Sequence, residues 1–190
     1  MKFTHLIVGR FVPENNYETM LREFMYSSTK KDLVIITNVE RNTFYTKLLK
    51  KTGFDKDKRI KFVGTVYDGE LLKNIREGAY AYLHGHEVGG TNPSLLEALG
   101  STNLNLLLKV GFNQEVGENC ALYWSKEEGD LAKLIDKVEE MSEEEINELG
   151  AKAKKRIIDE YSWEDIIDRY EDIFIKGQII TRKCYSLISI

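Results

Sequence analysis

The stretch His84-Gly85-His86-Glu87-Val88-Gly89-Gly90-Thr91-Asn92-Pro93-Ser94-Leu95-Leu96-Glu97-Ala98-Leu99 combines a glycine pair, a helix start and a carboxylate in an order that suits an anion. Pro93 fits the first position of a helix, and Asn92 before it is a favoured N-cap. The amides from Gly89 to Asn92 would therefore gather at a helix N-terminus, where the dipole is positive and N–H groups lack partners, a place that suits a phosphate. Gly89 and Gly90 let the backbone approach a ligand with no side chain in the way. Thr91, Asn92 and Ser94 add polar groups. Glu97 falls about one turn further in, within reach of sugar hydroxyls attached to that phosphate. The helix dipole alone would also favour a carboxylate early in a helix, so Glu97 has a plain structural explanation beside the ligand one. Arg10 is the obvious diphosphate partner, permanently charged and able to bind bidentately; the alternative is a surface arginine paired with Glu14 or Glu18.

These residues need a scaffold, and the hydrophobic pattern supplies one. Phe3 to Val8, Leu33 to Thr37, Ile60 to Val63, Ala79 to Leu83, Leu104 to Leu108 and Ala121 to Trp124 read as strands. Tyr17 to Tyr26, Thr43 to Lys51, Glu70 to Arg76 and Pro93 to Leu99 read as the helices between them. This alternation predicts an α/β fold, a doubly wound, Rossmann-like parallel sheet of about six strands with a helical C-terminal extension. In open sheets of this kind ligands bind beyond the C-terminal ends of the strands. Gly9-Arg10, Asn38, Gly64-Thr65 and the segment from Gly89 to Glu97 all follow strands, so they share that edge. Further on, Asp130 to Met141 predicts a helix and Ser142-Glu143-Glu144-Glu145 a capping box. Ser162 is the expected cap of a last helix with Trp163, Ile166, Ile167, Tyr170 and Phe174 on one face, stopped by Gly177. Residues 1–177 are expected to form the ligand-binding domain, and 178–190 an apolar tail.

The His84–Leu99 stretch resembles the donor-site motif of retaining, family 4-like glycosyltransferases with the two-domain GT-B fold. It is most similar to that of bacterial capsular and cell-wall polysaccharide rhamnosyltransferases. The resemblance runs from Val8-Gly9-Arg10 to Tyr161-Ser162-Trp163-Glu164 and implies the C-terminal, sugar-nucleotide-binding half of such an enzyme. It implies that Arg10 and Glu97 carry the catalytic contacts, Arg10 to the diphosphate and Glu97 to the ribose. The family places a Lys about five residues after the Arg; here Pro13-Glu14-Asn15-Asn16 stand there, and Asn15 or Asn16 could donate without a charge. The family also carries a second glutamate, separated from the first by seven residues. Counting back from Glu97 reaches Gly89, with Glu87 two positions early, so either the loop brings Glu87 in or amides replace that carboxylate. The second is favoured. Phe112-Asn113-Gln114-Glu115-Val116-Gly117, expected in a loop after the fifth strand, corresponds to a family segment near the donor, which adds Asn113 and Glu115. His86 is expected as a neutral donor to a phosphate or sugar hydroxyl.

The same resemblance implies a nucleotide sugar, dTDP-rhamnose, as donor and a lipid-linked saccharide as acceptor. Transfer would proceed with retention, without cofactor or obligatory metal, in polysaccharide biosynthesis. It also implies a separate N-terminal domain, without which the chain is expected to be inactive. The alternatives are a non-catalytic sugar-nucleotide-binding module, or half of a sugar-nucleotide epimerase, which would want more acids and bases.

Composition narrows the field. With 190 residues, 42% apolar and 31% charged, the chain can build one domain with a substantial core. A net charge of −4 gives no reason to expect nucleic acid. The basic stretch from Lys47 to Lys61 reads first as a solvated face, with peripheral contact to a membrane surface as the second reading. Cys120 and Cys184 fit no metal-ligand spacing and read as free thiols, and with no signal peptide or span in the sequence a cytoplasmic protein is expected, at most at the inner face of the membrane. Trp124 and Trp163 are expected in the core. No P-loop, GxGxxG or GxSxG occurs, and no third ligand accompanies His84 and His86 to make a zinc site.

Overall fold

The structure, a computed structural model, describes residues 4–162, 164, 166–168 and 170–175. Six strands, β1 (Thr4–Val8), β2 (Asp32–Ile36), β3 (Ile60–Phe62), β4 (Ala81–His84), β5 (Asn105–Leu108) and β6 (Leu122–Trp124), form one sheet in the order β3-β2-β1-β4-β5-β6. Every pairing is parallel. β1 is the pivot: it pairs with β2 through Ile7 and Ile35, and with β4 through Leu6 and Tyr82. The chain winds outward from β1 to β3, then crosses back to β4, so the switch point lies between β1 and β4.

Alternate residues of each strand feed two cores, because successive side chains in a strand point to opposite faces. Ile7, Leu33, Ile35, Leu83 and Leu106 pack with α1 (Tyr17–Tyr26), α2 (Thr43–Thr52) and α6 (Asp130–Glu139). Leu6, Ile36 and Tyr82 meet Ala98 of α4 (Pro93–Ser101) and Leu72 and Ile75 of α3 (Gly69–Gly78) on the other face. α1 shows why a helix forms there: Tyr17, Met20, Leu21 and Phe24 recur at i, i+3, i+4 and i+7 and are all buried. Trp124 is buried, with its indole N–H donating to the Leu106 carbonyl at 3.2 Å.

One element departs from expectation. The segment around Phe112 is not a loop but a short helix, α5 (Gly111–Gly117). Glycine at both ends and a single buried aliphatic residue, Val116, hide its helical period from the sequence. The capping box after Met141 forms: Ser142 Oγ accepts from Glu145 N, and the Glu145 carboxylate accepts from Ser142 N at 2.8 Å. It opens α7 (Glu143–Tyr161). The chain divides into two compact units, one up to Lys154 that contains the sheet and one from Lys155 onward. In the second unit residues 164, 166–168 and 170–175 are helical, and Ile166 N donates to Ser162 O at 3.1 Å. Trp163, Gly177, Cys184 and the tail from 178 lie outside the described residues. No described helix is long and apolar enough to cross a membrane. In the basic stretch Lys51 pairs with Glu18, Lys61 with Asp32, and Arg59 with Asp57 and the carbonyls of Ser27 and Thr29.

Candidate functional site

Because all six strands run the same way, the turns that follow them gather on one edge of the sheet. At its centre, across the switch point, Gly9 and Arg10 leave β1 beside His84, Gly85 and His86 at the end of β4. The approach is close. A Cβ on Gly9 would stand 3.1 Å from His86 Cε1, and one on Gly85 would stand 2.5 Å from the Asn15 carbonyl and 2.9 Å from Met20 Cε. Glycine is required at position 85 by this packing.

Beyond His86 the chain opens into a solvent-exposed turn, residues 88–91, with Gly89 at φ +120°. Asn92 then caps α4 with its side chain, accepting from Ser94 N at 2.9 Å, and Pro93 follows. None of the N–H groups of Val88, Gly89, Gly90, Thr91 and Asn92 donates a hydrogen bond among the described residues. Five open amides in a turn at a helix N-terminus make an anion cradle. Arg10 is exposed nearby and makes no ion pair among the described residues. Its expected competitor Glu18 is held instead by Arg22 and Lys51, and Glu14 does not pair with it.

The two histidines are packed ring on ring, their centroids 4.3 Å apart and their planes 16° apart. Burial first, and then the Arg10 charge, push His86 down to about 4; burial and His86 hold His84 well below the ordinary histidine value. Both are neutral at pH 7. Nδ1 of His86 and Nε2 of His84 are buried without a partner. Their environment fits hydrogen bonding in the neutral form.

Several predicted residues turn out to hold the site together. Asn15 Nδ2 donates to the Arg10 carbonyl at 2.8 Å, fixing the turn after β1. Asn16, in the left-handed region at φ 54°, donates to the Gly85 carbonyl at 2.8 Å and to Glu87 Oε2 at 2.9 Å. Asn113, fully buried on α5, donates to the carbonyls of His86 and Leu108, both at 3.0 Å. All three spend their N–H groups on the protein. Glu115, on the same helix, is exposed. Glu87 pairs with Lys126, from the turn after β6, and Lys126 and Asn16 hold its carboxyl below the usual range. Gly64 adopts φ +78° and its carbonyl accepts from Thr37 N at 2.9 Å.

Glu97 lies one turn into α4 with its side chain 56% exposed, and its Oε2 is 2.6 Å from Arg76 Nη2. No local sequence signal marks that partner, because Arg76 ends an ordinary amphipathic helix. Ser94 Oγ lies 3.0 Å from the Tyr82 hydroxyl, donates to the Val8 carbonyl at 3.3 Å and accepts from Arg76 at 3.4 Å. Burial raises Tyr82 to about 12, so its hydroxyl stays protonated.

Next to Gly9 and Arg10 lies a cavity of about 490 Å³ over the ends of β1, β2 and β3. Val8, Phe11, Ile36 and Val66 line it with apolar surface, Asn38 and Thr65 with polar groups, and Tyr67 stands at its rim, 91% exposed. Tyr67 was not a sequence candidate. The available signal was a lone aromatic between Gly64 and the α3 cap Asp68, which accepts from Glu70 N and Leu71 N. A second cavity, about 470 Å³, runs along α1. Two of its acids are already held, Glu18 by Arg22 and Glu23 by the amides of Gly129 and Ala132 at the start of α6. Among the described residues no group of three His, Cys, Asp or Glu could hold a metal ion.

The sequence matches no protein-family profile, and it matches no curated protein. Solved structures do share its fold. HepE from Anabaena, in complex with UDP and glucose, superposes with a TM-score of 0.79 at 14% identity over 92% of this chain and 48% of that one. The sucrose-phosphate synthase of Thermosynechococcus elongatus gives 0.78 at 18% identity, over 94% of this chain and 46% of that one. This chain shares its fold with about half of each of these two proteins. The C-terminal domain of a group 1 family glycosyltransferase (LpcC) from Francisella tularensis gives a TM-score of 0.65 at 16% identity, over 85% of this chain and 87% of that domain. The chain therefore spans about half the length of the first two structures it matches, and most of an isolated C-terminal domain.

Proposed function

We propose that this chain is the donor-binding half of a glycosyltransferase and holds a nucleoside-diphosphate sugar at the switch point between β1 and β4. The observation that carries this is the turn from Val88 to Asn92 at the start of α4, with five amides that are open among the described residues, and Arg10, unpaired among the same residues, near His86. A diphosphate there would meet donors from both sides, and the charge growing on it as the sugar leaves would be stabilised by groups already in place. Glu97, one turn along, faces the sugar of the nucleotide, and the cavity rimmed by Tyr67 is of a size and polarity for a base. Among the described residues, the buried His84 and the half-buried His86 are neutral and Glu87 is ion-paired, so none of the three is poised as a general base. The reading that goes with this is retaining transfer in which the leaving phosphate takes the acceptor proton.

The motif from Gly89 to Glu97 favours dTDP-rhamnose as donor and a lipid-linked saccharide as acceptor. The UDP held by HepE favours a uridine nucleotide. A separate domain would provide the acceptor and the second wall of the cleft. Calorimetry with UDP and dTDP in the presence of EDTA tests the site: binding of either is expected. Absence of heat and of chemical-shift change with both would refute it.

A further inference from the structure

Arg76 is the most buried cation of the described site, 3% exposed, and it sits at the end of α3 with α4 against it. A guanidinium out of water needs a counter-charge and hydrogen-bond acceptors. Its Nη2 has both, reaching Glu97 Oε2 at 2.6 Å and Ser94 Oγ at 3.4 Å, while its Nε is buried without a partner. The asymmetry of the pair is informative. Arg76 is enclosed, whereas the Glu97 side chain is 56% exposed at the edge where the ligand groups gather. One carboxylate oxygen is thus pinned from below and the other is left to solvent.

We propose that Arg76 is a positioning residue: it fixes the rotamer of Glu97 so that its outer oxygen accepts from the ribose hydroxyls of a bound nucleotide. The inference rests on the nucleotide reading of Glu97 given above. Ser94 extends the device. Its hydroxyl also donates to the carbonyl of Val8, the residue before Gly9-Arg10, and meets the Tyr82 hydroxyl. The ribose acid on α4 and the phosphate turn after β1 are therefore held to one another through a single guanidinium nitrogen. A lysine could supply the charge at that depth, but its freely rotating ammonium lacks the fixed in-plane N–H directions with which one guanidinium nitrogen meets both acceptors.

The test compares UDP with 2′,3′-dideoxy-UDP by calorimetry on the whole chain. A charged hydrogen bond to a hydroxyl makes about a tenfold preference for UDP the expected result for the unaltered protein. Arg76→Met should cut that preference below about threefold while leaving dideoxy-UDP affinity unchanged, as should Glu97→Gln, and the double variant should lose nothing more. Arg76→Lys should fall between. Full preference in Arg76→Met, or an equal loss for both nucleotides, would overturn the proposal, the latter being what a merely structural role produces. Urea unfolding confirms that each variant is folded; if Arg76→Met is not, Arg76→Lys decides, and full preference in it overturns the proposal. No preference in the unaltered protein removes the Glu97 reading and this inference with it. No binding of UDP or dTDP removes the proposed function itself.

Discussion

At the scale of single residues, the site divides into groups that face solvent and groups that hold them. Arg10 belongs to the first kind, so Arg10→Gln should weaken UDP binding by about 1.5–3 kcal/mol, the range for a hydrogen bond to a charged group, with unfolding free energy unchanged. Calorimetry and urea titration on the same preparation check both halves. Glu97 belongs to both kinds. Glu97→Gln should weaken UDP binding by about 1 kcal/mol, most of a tenfold preference, and also lower stability, since it strands the buried Arg76 charge. Glu87→Gln should leave nucleotide binding almost unchanged, because Glu87 is occupied by Lys126 and Asn16. The opposite ranking of the two acids would show that the turn binds its ligand in another register. The helix start after the glycine turn could be read from spacing, because a start and its cap are local, whereas the roles given to Arg10 and Glu97 lean on the family resemblance. Arg76 and Tyr67 could not be read either way. What marks them is burial on one hand and isolation at a cavity rim on the other, and neither is encoded in the neighbouring residues.

Elements explain why the turn at α4 keeps its shape. Asn92 caps the helix and Pro93 begins it, both visible in the sequence because their chemistry acts within three residues. Asn92→Ala should cost about 1 kcal/mol of stability, the usual effect of losing an N-cap, and weaken UDP binding along with it. The six strands and first four helices were legible for a related reason: hydrophobic period and the glycine and cap signals between segments agree throughout. α5 was not, since its seven residues carry too few apolar positions to set a period. Its buried Asn113 is tied to the end of β5 through the Leu108 carbonyl nearby and to the end of β4 through the carbonyl of His86, which is far away in sequence. A long-range hydrogen bond leaves no local pattern.

For the whole molecule, the buried His5 and His84 and the half-buried His86 set the response to acid. Burial is the main cause in each: it lowers His5 to about 4 against the opposing pull of Glu139, lowers His86 to about 4 and holds His84 well below its ordinary value. In the unfolded chain they take up protons near pH 6.5, and in the fold they do not until much lower pH. The unfolded state thus binds more protons in that window, so stability is complete above about pH 6.5 and is lost as pH falls from there toward 4. The slope is at most about 1.4 kcal/mol per pH unit for each histidine. Urea midpoints at pH 7.5, 6 and 5 should therefore decline steadily, and a flat series would contradict the burial of these rings. At the same scale, the isolated chain is expected to bind nucleotide but transfer no sugar to a lipid-linked saccharide until a separate acceptor domain is added. Labelled-donor assays with and without that domain check this, and turnover by the chain alone would refute it.

The sheet also ends in a way that bears on handling the protein. Its outermost strands, β3 and β6, have three residues each, and β3 carries Lys61 at its centre, paired with Asp32. An outer strand that short, bearing a charge, offers little template for edge-to-edge addition of another chain. Concentrated solutions of the sheet unit are thus protected against strand-by-strand aggregation by the geometry of its two borders.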